Sequence, residues 1–345
     1  MISRHRALLA VLVVPFLLAG CGSANPTATP IPLAATPTTA PPREAGSVPI
    51  SPDTVKQVEL LRTLSGHKDR VLALAFSGDG AHVASYGRDK TIKLWDAMSW
   101  QEAFSFGNQN MDINSIAFSP DGRLLASAQM IWNVESKQVV HALDRGEAGH
   151  PAFSYDGALL AAGGLGGSPV KLWDVASGKA VRSFARQANN DTFTTAFSPD
   201  GALLATSGYD GVIELWDVQS GQVVRTLSYS TEVGIHSVAF SPDGSLLASG
   251  GTDSTVKIWG VQTGELMHTF YQGDGVYGVI FSPDGRLLAS ALCDRTVALW
   301  DVASGQLVRS LRHGDEVMAV VFSPDSRLLV SGGYDSKVYV WGIPR

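Results

Sequence analysis

The stretch Ala239–Trp259, AFSPDGSLLASGGTDSTVKIW, recurs along the chain. Copies begin at Phe76, Phe118, Phe153, Phe197, Phe240, Phe281 and Phe322 and end at Trp95, Trp132, Trp173, Trp216, Trp259, Trp300 and Trp341. Successive tryptophans are 37, 41, 43, 43, 41 and 41 residues apart. Within one copy, Val238–Phe240 is a short apolar strand. Ser241-Pro242-Asp243-Gly244 is a turn, with Pro presetting φ at the first corner and Gly free to take a positive φ. Ser245–Ser249 is a second strand and Gly250–Ser254 a second hairpin. Thr255–Trp259 alternates Val256 and Ile258 against Thr255 and Lys257, the pattern of a third strand. Val261–Gly264 turns again, into a fourth strand at Leu266–Phe270.

One such sheet cannot bury both of its faces, but radial stacking against like neighbours covers them. A fixed period in the low forties with one Trp per unit predicts an all-β chain: a seven-bladed β-propeller of four-stranded antiparallel sheets. Composition agrees, with 345 residues, 36 Gly, 45% hydrophobic and 17% charged residues, a turn-rich and weakly charged chain. Val58–Leu64 (VELLRTL) matches the fourth-strand pattern at Val223–Leu227, whereas the last unit stops at Trp341 with four residues to follow. Residues 58–64 are therefore expected to supply the last blade's outer strand and close the ring, hiding two sheet edges.

The run Gly66-His67, Ala75-Phe76-Ser77, Ser85, Asp89 and Trp95-Asp96 resembles the WD-repeat family, and the resemblance covers roughly residues 55–345. It implies a buried hydrogen-bond network of His67, Ser85, Asp89 and Trp95, repeated by His313, Ser331, Asp335 and Trp341. Other units keep the Asp and Trp alone, as at Asp210, Asp253 and Asp294. Unit two is shortened, with 7 residues from Leu125 to Trp132 against 12 from Leu204 to Trp216. The resemblance also implies a partner-binding rim, at positions six and four residues before the Phe and one before the hairpin Asp. Carried over, these give Arg70, Arg88, Phe193, Tyr209, His236, Tyr277, Met318 and Tyr334 as candidates. Six of them form an aromatic and Met arc on units four to seven, a composition enriched in interface cores.

Ahead of the repeats, residues 1–21 read as a leader. Arg4 and Arg6 precede the apolar run Ala7–Gly20, too short for a comfortable membrane span. It ends in Leu18-Ala19-Gly20-Cys21, which resembles the bacterial lipobox and implies lipidation of Cys21. With Cys21 lipidated, Cys293 has no disulfide partner in the mature chain. Residues 22–54, rich in Pro, Thr and Ala, read as a disordered tether. Ser51-Pro52-Asp53 starts a short helical turn within it. Residues 55–345 are the propeller.

No HExxH, CxxC, P-loop or GxSxG is present, and the loop Gly163–Gly167 opens no helix, so no catalytic, metal or cofactor residue is assigned. Net charge is −6, and −8 once the leader with Arg4 and Arg6 is removed, which argues against a nucleic-acid partner. The expectation is a non-catalytic protein-interaction scaffold, lipid-anchored on the extracytoplasmic face of a bacterial cell membrane. Alternatives are a glycan or small-ligand binding propeller and a propeller hydrolase or lyase.

Overall fold

The computed structural model describes residues 44, 46–107, 115–127, 130–143, 148–164, 167–186, 191–229 and 233–345. The leader, Cys21 and the tether up to residue 43 lie outside them. The described residues form seven four-stranded antiparallel sheets. Blade five is representative: Ile235–Phe240, Leu246–Gly251, Thr255–Gly260 and Leu266–Tyr271, paired in sequence order. The first strands of successive blades touch one another around a closed circuit, and blade seven meets blade one, so the first strands line the axis.

Ring closure follows the sequence expectation. Glu59–Ser65 pairs antiparallel with Lys337–Gly342, with Leu60 opposite Trp341 and Thr63 opposite Tyr339. The hydrophobic core is correspondingly split into seven layers, one at each blade interface. Between blades five and six, for example, Val256, Ile258 and Phe270 pack against Val276, Leu288 and Trp300. Outer strands add polar clamps: Arg182 donates to the carbonyls of Gln219 and Ser220 in the next blade, and Arg225 to those of Gln262 and Thr263.

The inner turns are built alike. In blade five the Ser241 hydroxyl donates to Asp243 Oδ1 (2.6 Å) and accepts from the Leu246 N–H (2.9 Å), while Gly244 takes φ +72°. A side chain at that φ costs roughly 1–2 kcal/mol, which is why Gly recurs there. Blade one departs from the pattern with Ser77-Gly78-Asp79-Gly80. A Cβ at residue 78 would overlap the Pro120 carbonyl oxygen of blade two, so the usual Pro has no room.

Blade two is short, as expected: Ile116–Phe118, Leu124–Ser127, Met130–Asn133 and Val139–Ala142. Blade three carries Ala162 where other blades place Ser or Thr, and the buried Trp173 Nε1 has no hydrogen-bond partner.

The tether boundary at residue 54 needs correction. Ile50 is fully buried and joins Val55 and Val58 in the layer between blades six and seven. The Gly46 N–H donates to Ile343 O (2.6 Å) and the Ile50 N–H to Ser326 O (2.7 Å). Ile50, a large apolar residue in a Pro/Ser context, anchors this segment by burial. The expected helical turn is a 3-10 turn at Val55–Gln57, entered through a Val55 N–H bond to the Ser51 carbonyl. No helix among the described residues is long and apolar enough to cross a membrane.

Candidate protein-interaction rim

Two ends of the axis differ in chemistry. Each inner strand starts at the rim positions and ends at the Phe before the inner turn, as in Val276–Phe281. At the turn end, Phe118, Phe153, Phe197, Phe240, Phe281 and Phe322, with Pro from the turns, line a cavity of about 320 Å³. The start end carries the candidate residues.

Backbone bonds bring the sequence-distant positions together. The Arg88 N–H donates to Arg70 O (2.8 Å) and the Tyr334 N–H to Glu316 O (2.9 Å), so the hairpin residue sits beside the strand entry of its own blade. Side chains then link neighbouring blades. Tyr209 meets Phe193 edge-on, with centroids 3.9 Å apart. Phe193 lies 5.6 Å from His236, and His236 lies 5.6 Å from Tyr277. Tyr277 and Tyr334 share a hydroxyl hydrogen bond. Arg70 places its guanidinium carbon 3.7 Å from the Tyr334 ring centroid, joining blade seven to blade one. The arc is thus one contact chain from Tyr209 to Arg70.

Not every candidate faces solvent. Tyr209 is 47% exposed and Arg88 is exposed, but Phe193 is 7% exposed and lies beneath Tyr209. Phe193 is therefore a support for the arc and not a contact surface. His236, Tyr277, Met318 and Tyr334 are half-buried. Tyr209 leans over Gly234 of the next blade, where a Cβ would crowd its ring. Burial lowers the His236 imidazole and lifts the Tyr277 phenol above its ordinary value. Cys293, buried at the hairpin position of blade six, is not a free thiol, counter to the expectation of an unpaired cysteine.

Structural networks account for the other singled-out polar residues. In blade one, His67 Nε2 meets Ser85 Oγ (2.7 Å), Trp95 Nε1 donates to Ser85 Oγ (2.8 Å), and His67 Nδ1 faces Asp89 Oδ1 (3.1 Å). Partial burial of Asp89 works to raise its carboxyl, but bonds from the Lys68 N–H, Thr91 and His67 hold it below its ordinary value. In blade seven, His313 and Trp341 both reach Ser331 (2.7 and 2.6 Å), yet Asp335 does not join. Its Oδ2 accepts from the Tyr339 hydroxyl (2.7 Å), and the buried His313 Nδ1 is left without a partner. The expected fourth link is absent because Tyr339 occupies the position of Lys93 in blade one and captures the carboxylate.

Two blades replace the missing His by other chemistry. In blade four, buried Arg186 donates to both Asp210 oxygens (2.9 Å each) and to Glu214 (3.2 Å). In blade five, the Tyr229 hydroxyl bonds Ser249 (2.8 Å), which also accepts from Trp259 Nε1 (2.8 Å). The sequence pattern missed both, because the substitutes differ in type and spacing. Among the described residues no group of three or more His, Cys, Asp or Glu is placed to hold a metal ion.

Comparison with known proteins places these features. The family model described as WD domain, G-beta repeat matches residues 58–96, 100–130, 178–217, 221–260, 264–301 and 305–342. Most of blade three lies outside the matched repeats, although its four strands form. The chain is similar to WD repeat-containing protein SL1-17 of Schistosoma mansoni, 34% identical over 168 residues, covering 47% of this chain and 55% of that protein. It is also similar to p21-activated protein kinase-interacting protein 1-like of Danio rerio, 31% identical over 47% of this chain and 45% of the relative. WD repeat-containing protein slp1 of Schizosaccharomyces pombe is 28% identical over 43% of this chain and 33% of its own length. The chain thus spans between a third and just over half of these relatives.

Proposed function

The chain belongs to the WD-repeat family, and on that premise we propose that it is a non-catalytic protein-interaction scaffold whose partner docks on the arc from Tyr209 to Arg70. The carrying observation is the unbroken contact chain through Phe193, His236, Tyr277 and Tyr334. Blade geometry needs no large aromatic at these positions, since Thr252 serves at the same hairpin position of blade five. A run of half-buried rings on a rigid rim offers contact area at low entropic cost. A relative named as a kinase-interacting protein fits a protein partner.

The replacement of Tyr209, Tyr277 and Tyr334 together by Ala tests this. Capture of the partner from the protein's own cells, after cross-linking to the full chain, should be lost while the circular dichroism spectrum is retained. Retained capture would remove the arc from the binding surface.

We further propose that Cys21 carries the lipid that holds the chain on the extracytoplasmic face of a bacterial membrane. Support comes from the leader's basic start, apolar run and Leu18-Ala19-Gly20-Cys21 end; the three relatives are eukaryotic and lend it none. Residues 50 and 53 join the ring at the turn end, through Ile50 to Ser326 and Asp53 to Arg286 (3.2 Å). A tether entering there leaves the arc end open to a partner. Mass spectrometry of the mature chain should find Cys21 first and acylated. An intact leader, or a Cys21 that carries no acyl group, would contradict the anchor.

A further inference from the structure

At the turn end, three departures coincide on blades three to five. The first is a gap. Neighbouring inner turns interlock: a Cβ on Gly157 would sit 3.5 Å from Pro120 Cδ of the preceding blade, one on Gly244 3.5 Å from Pro199, and one on Gly285 3.4 Å from Pro242. Blade three carries Tyr155 in place of Pro, and Gly201 of blade four has nothing within 4 Å of its Cβ position. The collar is therefore open between these two blades, and the exposed Tyr155 lines the cavity there. The second is ring exposure. Phe153, Phe197 and Phe240 in the cavity wall are half-buried, whereas Phe118, Phe281 and Phe322 are buried. The third is charge. Exposed Arg123, Arg286 and Arg327 follow the turns of blades two, six and seven and pair with Asp121, Asp53 and Asp325. Ala158, Ala202 and Ser245 stand there on blades three to five, so exposed Asp156, Asp200 and Asp243 have no such base.

We propose that this cavity is a binding site for a small organic cation with an apolar body, of the arylalkylammonium class, seated between Tyr155 and the Phe rings of blades three to five. The site lies at the opposite end of the inner strands from the arc and does not depend on it. Its volume, about 320 Å³, is that of a small-ligand pocket. The wall offers the ligand's body no polar partner. The Ser198 and Ser241 hydroxyls that line it donate to Asp200 Oδ1 (2.5 Å) and Asp243 Oδ1 (2.6 Å) and accept from the Leu203 and Leu246 N–H groups (2.9 Å each). The same bonds put the carboxylates beside the wall and, with those from the Ala202 and Ser245 N–H groups, hold them below the ordinary carboxylate range. They are therefore charged at neutral pH. Ring faces attract a cation, and carboxylates at the mouth of an apolar cleft concentrate one. An anionic ligand would meet the same carboxylates as repulsion. Residues 50 and 53 join the ring at blades seven and six and leave this sector clear.

The test is a calorimetric titration of the full chain with benzyltrimethylammonium chloride at constant ionic strength. Benzyl alcohol and 3-phenylpropionate serve as neutral and anionic controls, and ring-13C tyrosine spectra locate the ligand among eight tyrosines. The cation should bind saturably, about fivefold or more tighter than either control, and move the Tyr155 signal but not those of Tyr277 and Tyr334. Tyr155→Pro, which restores the residue of five other turns, should weaken binding about threefold, the scale of an exposed cation–ring contact. Asp156→Asn combined with Asp200→Asn keeps an acceptor for each turn and should weaken it about fivefold. No saturable binding, equal affinity for a control, or a shift at Tyr277 in place of Tyr155 would overturn the site. So would an unchanged affinity in Tyr155→Pro, which decides alone if the double Asn variant does not fold. The variant with Ala at positions 209, 277 and 334 should bind the cation like the parent; loss of binding there would place the cation on the arc and reject the cavity.

Discussion

Two histidines at equivalent positions show how one neighbour changes a residue's chemistry. His67 is held at both ring nitrogens, by Ser85 and Asp89. His313 is held at Nε2 alone, because the Tyr339 hydroxyl takes the Asp335 oxygen. Burial lowers both imidazoles; Asp89 partly offsets this for His67, whereas His313 falls to about 3. The consequence is acid sensitivity with a definite sign. The folded state keeps His313 neutral, while the unfolded chain takes up its proton below about 6.5. Stability is therefore complete above pH 6.5 and is lost as pH falls from there towards about 3, by at most ~1.4 kcal/mol per pH unit for this histidine. His150, lowered to about 4 by burial and by His236, adds to the same trend. His313→Gln should be less stable than the parent at pH 8, by about 1–2 kcal/mol for the lost Ser331 bond. The deficit should shrink as pH falls to 5, measured by urea unfolding at each pH. A deficit that stays constant would show that His313 does not couple folding to protons.

At the scale of strands and turns, much was legible and the failures are instructive. The repeat pattern placed every blade, the shortened second blade and the closing strand, because strand period and Pro-Asp-Gly turns are local signals. Ser77-Gly78-Asp79-Gly80 lacks the usual Pro for a reason that lies outside the turn. Its cause, the Pro120 carbonyl of the next blade, lies 42 residues on and is met only in the ring. Position counting from Phe197 located Phe193 correctly but not its burial, since Tyr209 folds over it from the hairpin. Arg186 and Tyr229 were missed as substitutes for His because only folding brings their polar ends to Asp210 and Ser249. Residues 46–54 read as tether from composition, yet one buried Ile50 draws them onto the fold.

For the molecule as a whole, closure completes the arc. Arg70 and Tyr334 are 264 residues apart and touch only because Glu59–Ser65 completes blade seven and brings it against blade one. Without that strand the aromatic chain would end at Tyr334, and Arg70 would have no ring to cover. The same closure separates two ends along the inner strands: an arc of rings and charges at one, a Phe-lined cavity at the other. The most direct measurement is photo-cross-linking in the protein's own cells, with p-benzoylphenylalanine placed singly at Met318 on the arc or at Tyr155 by the cavity, itself 72% exposed. A protein adduct from position 318 and none from position 155 is the predicted result; adducts from 155 with none from 318 would contradict it.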